Sequence, residues 1–290
     1  MLVHIKELVK YARKGGYAVG AFNVHNLESI LGVANAAVRA KSPAIIQVSE
    51  AAIKYMGLKP VTHIVSTVAK NVAAKVPIAL HLDHGKSLDS VFECINSGFT
   101  SVHIDASDLP LDENIALTRR VVEIGHKKKV WVQGEVGSVV GEHSGKNGRF
   151  IIPKAKLEDV IKFVKETEVD TIAVAVGTAH GIHRNEDIDF VLLRGIKSKV
   201  KKPFVLHGAS GISDKKIKKA IKAGVNIINI GTDIKRAFSK TLIQNCLKNR
   251  KETDPRNLMS PTIKAVEEVV FNKMKLFGSA GQIRVTELEI

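Results

Sequence analysis

Residues 78–106 read IALHLDHGKSLDSVFECINSGFTSVHIDA. Ile78–Leu82 is a short, largely apolar run, Leu88–Asn96 has the periodicity of an amphipathic helix, and Ser101–Ala106 is a second apolar run. Strand, helix and strand in so short a span make a βαβ unit, whose strands pair in parallel. The same alternation continues in both directions. Apolar, β-branched runs recur at Tyr17–Val24, Ala44–Ser49, Val130–Val136, Thr171–Val176, Phe204–His207 and Asn226–Ile230, which makes eight in all. Helical patterns fall between most of them, at Leu27–Ala40, Thr62–Ala74, Asn114–Lys127, Leu157–Thr167, Phe190–Lys199 and Asp214–Ala223. Near-continuous apolar strands imply a sheet covered on both faces. Eight units favour a closed barrel over an open doubly wound sheet, and no Gly-x-Gly-x-x-Gly opens the first helix. Two further helices, about Asp233–Lys248 and Thr262–Phe277, exceed the barrel's needs and are candidates for oligomer contacts. The expected fold is α/β: one (β/α)8 TIM barrel over residues 1–290, with a C-terminal helical extension at about 233–281. A chain of 290 residues without a Pro/Gly/Ser-rich linker suits one barrel of about 250 residues.

Composition excludes several classes. With 44% hydrophobic and 25% charged residues the chain is neither disordered nor collagenous. No apolar stretch approaches the ~18 residues of a membrane span, and the N-terminus lacks the apolar core of a secretory signal. Two distant cysteines, Cys94 and Cys246, form no metal pair by spacing and suggest a reduced, cytoplasmic setting. The net charge of +15 raises nucleic-acid binding. The lysines, however, sit on outer helix faces, as in Asp214–Ala223 around Ile217, Ala220 and Ile221. Aromatic residues are 5% of the chain, too few for stacking platforms. A small polyanion such as a sugar phosphate is the better partner for this field, and neither nucleic acid nor membrane is expected.

In such barrels chemistry gathers at the C-terminal strand ends. Three histidines, His84, His180 and His207, fall there after the third, sixth and seventh runs. Three imidazoles that leave a position open for substrate suit zinc. His81 and His103 either point away or support the ligands. Asp83 directly precedes His84 and has two readings, a carboxylate orienting an imidazole or a general acid/base. Glu135 is either a further metal ligand or an outer carboxylate. Gly208-Ala209-Ser210-Gly211 and Gly231-Thr232-Asp233 offer open backbone and hydroxyls where barrels bind phosphate. None of the eight runs contains a lysine, so Schiff-base chemistry is disfavoured, whereas a metal serving as Lewis acid needs none.

These residues resemble the class II, metal-dependent fructose-bisphosphate and tagatose-bisphosphate aldolases nearly end to end. The most specific segment is Pro77–Gly85 (PIALHLDHG). It is joined by Ala21–Val24, Gln47–Glu50, Lys54–Gly57, Val174–Gly181, Leu206–Gly211, Asp254–Arg256 and Leu276–Gly281. The resemblance implies a Zn2+ cofactor held by His84, His180 and His207 with Glu135 associated, and a monovalent cation as an optional second ion. It makes Asp83 the acid/base that exchanges a proton with the C4 oxygen. It assigns Gly181, Gly208, Ala209, Ser210, Asn229, Ile230, Gly231 and Thr232 to the dihydroxyacetone-phosphate portion, with Asp233 among the substrate-binding residues. Asn23 and Ser49 would contact substrate, and Arg184 stands near a usual lysine. Arg256 would reach a neighbouring subunit's distal phosphate in a homodimer or homotetramer. The loop after the fifth run departs from the family: Val140 replaces one of two adjacent glycines, and His143 is the ungapped match for the usual glutamate. Glu142, one residue early, is the chemically closer candidate for the second proton transfer. The implied activity is reversible cleavage of fructose 1,6-bisphosphate. Tagatose 1,6-bisphosphate or another ketose phosphate is the main alternative. A metal-dependent sugar-phosphate isomerase or epimerase, or a basic nucleic-acid-binding protein, stands behind it.

Overall fold

A computed structural model of the chain describes residues 1–139, 154–181 and 187–283. Its elements run α1 (Ile5–Gly15), β1 (Val19–Asn23), α2 (Leu27–Ala40), β2 (Ala44–Ser49), α3 (Glu50–Met56), α4 (Leu58–Asn71), β3 (Ile78–Gly85), α5 (Leu88–Asn96), β4 (Ser101–Ile104) and α6 (Leu111–Lys127). They continue through β5 (Trp131–Val136), α7 (Leu157–Thr167), β6 (Thr171–Val174), α8 (Phe190–Lys199), β7 (Phe204–Leu206), α9 (Asp214–Lys222), β8 (Val225–Ile230), α10 (Thr232–Lys248) and α11 (Pro255–Phe277). The eight strands pair in parallel, each with its sequence neighbour, and β8 pairs with β1 to close the barrel. The architecture is therefore a (β/α)8 barrel with additional C-terminal helical structure, as the alternation of runs implies.

Strand alternation sorts the barrel interior by height. Val19, Ala21, Ile45, Ala79, Ala173, Val205 and Ile227 form a small apolar layer near the N-terminal ends. Two residues further along these strands the inward positions become polar: Asn23, Gln47, His81, His207 and Asn229. The lower layer is closed by α1, which buries Ile5, Leu8, Val9 and Ala12 against it. His4 caps that helix through Nδ1, and Gly16 ends it with φ +67°. The outer core, between strands and helices, is built from Val, Ile, Leu and Phe such as Phe22, Leu80, Phe163 and Phe204.

Two differences from the sequence reading have physical causes. Of the two C-terminal helices, only α10 is surplus. α11 packs on α2, α9 and β1, filling the ring position between the last and first barrel helices. It also begins at Pro255, seven residues before the periodic stripe, because Asp254 caps it and proline suits its first turn. The segment after β2 forms two helices, α3 and α4, separated by Gly57 at φ +84°, a conformation glycine adopts without strain. Among the described residues no helix is long and apolar enough to cross a membrane.

Candidate active site

Asp83 and His84 are adjacent in β3 and would point to opposite faces of a regular strand. The pairing register with β4 shifts between Leu82 and Gly85, and His84 has φ +51°. This bulge and left-handed residue turn both side chains to the same cavity at the C-terminal rim. A non-glycine residue held in that region is strained, as functional positions often are. The cavity has a volume of about 640 Å³ and is also lined by Asn23, Ser49, His180, Gly181, Gly208, Ala209, Ser210, Asn229, Gly231 and Thr232.

The histidines converge as the strand ends suggest. Ring centroids lie 4.9 Å apart for His84 and His180, 4.8 Å for His84 and His207, and 6.0 Å for His180 and His207. His207 is held by the Gln133 amide at 2.9 Å and the Asn229 amide at 3.2 Å, both on Nε2. Behind this group stands Glu135, fully buried, with Oε2 3.6 Å from His207 Nδ1 and 3.7 Å from His103 Nε2. Its other oxygen accepts the Val139 N–H at 3.1 Å. His103 lies under His84, with ring centroids 4.8 Å apart, and its Nδ1 accepts the His84 N–H at 3.3 Å. His81 sits lower in the barrel, with Nδ1 2.9 Å from Ser101 Oγ.

The charge balance of this cluster suits a cation. Asp83, Asp105 and Glu135 surround the rings. Burial pulls the His84 imidazolium down, but Asp83, the Asp105 hydrogen bond and Glu135 overcome it and raise the pKa to about 9. Burial, then the charge of His84, lowers His180 to about 4 and His207 well below its ordinary value. Burial lifts Glu135 to about 7. Glu135 Oε2 and His103 Nε2 are buried with no hydrogen-bond partner among the described residues. Donor atoms of Asp83, His84, His103 and His207 lie within 4.8 Å of one another, as do those of His84, His103, Asp105 and Glu135. Nitrogen and carboxylate donors with unsatisfied buried atoms fit a divalent cation.

Asp83 has a different environment. Asn23 donates to its Oδ2 at 2.7 Å, Asn229 approaches Oδ1 at 3.4 Å, and Gln47 fixes Asn23 at 2.8 Å. Burial would raise the carboxyl's pKa, but His84 and the Asn23 hydrogen bond hold it below the ordinary aspartate value. An ionised carboxylate on the cavity wall can accept a hydroxyl proton.

Some expected residues fall elsewhere. Ile230 is a fully buried core side chain, so only its backbone is available to a ligand. Asp233 turns toward α11 and pairs with Lys273 at 2.7 Å. Arg256 is exposed, pairs with Asp254 at 2.7 Å and lines no cavity described for its own chain. Glu142 and Arg184 lie outside the described residues. The structure adds His25, Lys86, Asp105 and Lys235 around the cavity. Asp105 Oδ2 contacts His84 Nδ1 at 2.6 Å and Lys86 Nζ at 2.9 Å. The strands are free of lysine, yet a loop and α10 bring two to the rim. Lys86 is unsuited to Schiff-base chemistry, because Asp105 and Asp108 outweigh its partial burial and keep it cationic.

The glycines of the rim have packing reasons. Gly208 has φ +64°, and a Cβ there would lie 2.4 Å from the Ala179 carbonyl oxygen, so the loops after β6 and β7 can touch only with glycine present. Thr178 Oγ1 donates to the His207 carbonyl at 2.8 Å across the same junction. His180 and His207 are thereby held together by contacts between their own loops.

Comparison with known proteins identifies the family. The family model described as "Fructose-bisphosphate aldolase class-II" matches residues 3–282. A fructose-bisphosphate aldolase of Geobacillus stearothermophilus is 38% identical over 283 residues, covering 97% of this chain and 98% of that protein. A 6-phospho-5-dehydro-2-deoxy-D-gluconate aldolase of Bacillus velezensis is 39% identical over 282 residues, covering 97% of each. The crystal structure of the YdjI aldolase from Escherichia coli K12 superposes with a TM-score of 0.85 at 32% identity, over 98% of this chain and 100% of that one. Aldolases of this class are metal-dependent and act on sugar phosphates, as a buried donor cluster opening on a glycine-lined rim would require. With that rim on a closed barrel, and a family match from residue 3 to residue 282, the chain belongs to the class II fructose-bisphosphate aldolases.

Proposed function

We propose that the chain is a zinc-dependent fructose-1,6-bisphosphate aldolase, reversibly forming dihydroxyacetone phosphate and glyceraldehyde 3-phosphate. The observation that carries this reading is the placement of Asp83, ionised and amide-oriented, on the cavity shared with His84 and His180. His84, His180 and His207 would hold the zinc, with Glu135 behind them. When bound, the cation supplies Lewis-acid stabilisation of the charge that develops as the C3–C4 bond breaks. Asp83 takes the C4 hydroxyl proton in cleavage and returns it in condensation. Asn23 and Asn229 keep its lone pairs aimed at the cavity. Gly181, Gly208, Ala209 and Ser210, with the amino end of α10 at Thr232, form the wall for the dihydroxyacetone phosphate group. Glu142, with His143 as its rival, would carry the second proton, and Arg184 would add positive charge near the phosphates. Arg256 would act on a neighbouring subunit of a homodimer or homotetramer. A reduced cytoplasmic setting suits the free thiols of Cys94 and Cys246.

The test is a coupled cleavage assay with fructose and tagatose 1,6-bisphosphates, with and without chelator. Chelator-sensitive turnover favouring the fructose epimer is expected. Turnover indifferent to chelator would overturn the metal, and preference for the tagatose epimer would overturn the substrate. A second reading, cleavage of 6-phospho-5-dehydro-2-deoxy-D-gluconate, is favoured by the similarity to the Bacillus velezensis enzyme at 39% identity. That compound belongs in the same assay.

A further inference from the structure

A second cavity of about 440 Å³ adjoins the first. The two share three wall residues: His25, Ser49 and Lys235. Beyond them the second cavity is lined by α2, α3 and α10, with Ala52, Ile234 and Phe238 as apolar walls. Among the described residues no carboxylate lines it, and Lys235 is its one ammonium group. The residues proposed for dihydroxyacetone phosphate, Gly181 and Gly208 to Ser210, line only the first cavity. A substrate anchored there with its C4 oxygen at Asp83 has its remaining carbons free to run past Ser49 and His25 into the second space.

His25 is the unexplained polar group at this junction. Its backbone N–H donates to Ser29 Oγ at 2.9 Å, which fixes the residue at the entry to α2. Its Nε2 is enclosed and has no hydrogen-bond partner among the described residues. A buried polar atom without a partner costs stability unless a ligand satisfies it. The ring is also close enough to Asp83 and Lys235 to feel both charges, and burial holds it in the neutral form at neutral pH. A neutral imidazole can donate or accept one hydrogen bond to a hydroxyl.

We propose that the adjoining cavity receives the aldehyde half of the substrate and that His25 is a specificity-determining residue, hydrogen-bonding the hydroxyl on the carbon next to the aldehyde carbon. The inference rests on the metal-aldolase reading and narrows its substrate to ketose phosphates whose aldehyde half carries that hydroxyl. Glyceraldehyde 3-phosphate has it. The three-carbon semialdehyde released from a 2-deoxygluconate substrate does not. A site built around one hydroxyl discriminates against an analogue lacking it, because its own polar atom is then left unpaired.

The experiment compares fructose 1,6-bisphosphate with its 5-deoxy analogue, using zinc-loaded wild type, His25→Phe and His25→Asn. Wild type should prefer the hydroxylated substrate in kcat/KM by about 10- to 100-fold, the size of one buried hydrogen bond. His25→Phe should bring that ratio to within about threefold of unity, and His25→Asn, which keeps a donor and an acceptor, should restore part of it. Zinc content, measured on each variant, should stay at the wild-type value. A wild type indifferent to the hydroxyl, or an unchanged ratio in both variants, would overturn the role of His25. Preferential cleavage of 6-phospho-5-dehydro-2-deoxy-D-gluconate by wild type would overturn it too. The metal-aldolase reading fails separately, by cleavage that persists under chelator.

Discussion

His180 lies six residues beyond the end of β6, yet its ring reaches within 4.9 Å of the His84 ring. His180→Ala should lose bound zinc and nearly all turnover while keeping the circular dichroism of the fold; unchanged zinc stoichiometry would remove it from the ligand set. Asp83→Ala should keep zinc but lose cleavage by on the order of 10²-fold or more, read in kcat rather than KM. The metal-free site also has a proton signature. His84 titrates at about 9 and Glu135 at about 7, so near neutral pH His84 carries a proton and Glu135 is partly protonated. Metal ligands must shed such protons. Zinc binding at pH 7 should release at least one proton, and affinity should weaken by about tenfold per unit of falling pH for each proton displaced. Calorimetry in buffers of different ionisation enthalpy measures both; proton-neutral binding would show that His84 is already neutral before the metal arrives. The histidine triad and Asp83 are legible in the sequence because strand ends are countable once the eight runs are found. His25 and Lys235 are not. They follow the strands into a loop and a helix, where no period reveals which side chains turn to the rim. The pairing of Asp83 with His84 on one wall is also invisible to alternation, because a bulge reverses it.

The contact between α2 and α11 governs whether the ring of helices closes. A Cβ on Gly32 would lie 2.7 Å from Val266 Cγ1 and 2.9 Å from the Ile263 carbonyl. Gly32→Ala gains up to about 1 kcal/mol in helix propensity, but overpacking a rigid contact costs about 1–3 kcal/mol, so the second effect should win. Urea unfolding should show a lower midpoint for this variant, and an equal or higher one would mean that α11 yields easily. Helix existence reads well from periodicity for α5 to α9, where apolar stripes match the buried faces. It is less complete at the ends of the chain. The pattern Ile5, Leu8, Val9, Ala12 has helical spacing and forms α1, a helix before the first strand that the strand–helix alternation does not call for. The identity of α11 as a ring helix could not be read from its stripe. The partner of an apolar face is a property of the closed barrel, not of the helix that bears it.

At the scale of the molecule, residues 194–222 contain ten lysines and arginines against one acidic residue, Asp214. These lie on and between α8 and α9, outside the barrel, and contribute to the long-range field more than to the fold. The kcat/KM for a bisphosphate should therefore fall as ionic strength rises, since the screening length shrinks to about 3 Å in 1 M salt. A salt-independent kcat/KM would show that the excess charge plays no part in capture. Closure of the barrel has its own consequence for how this chain is made. β1 leaves the ribosome early, but one of its edges has no neighbour until Val225–Ile230 has been synthesised, about two hundred residues later. Until then an unpaired strand edge is presented to every other nascent chain nearby. A product terminated just before β8 should accumulate in inclusion bodies, and refolding of the whole protein from denaturant should show its greatest losses at high protein concentration.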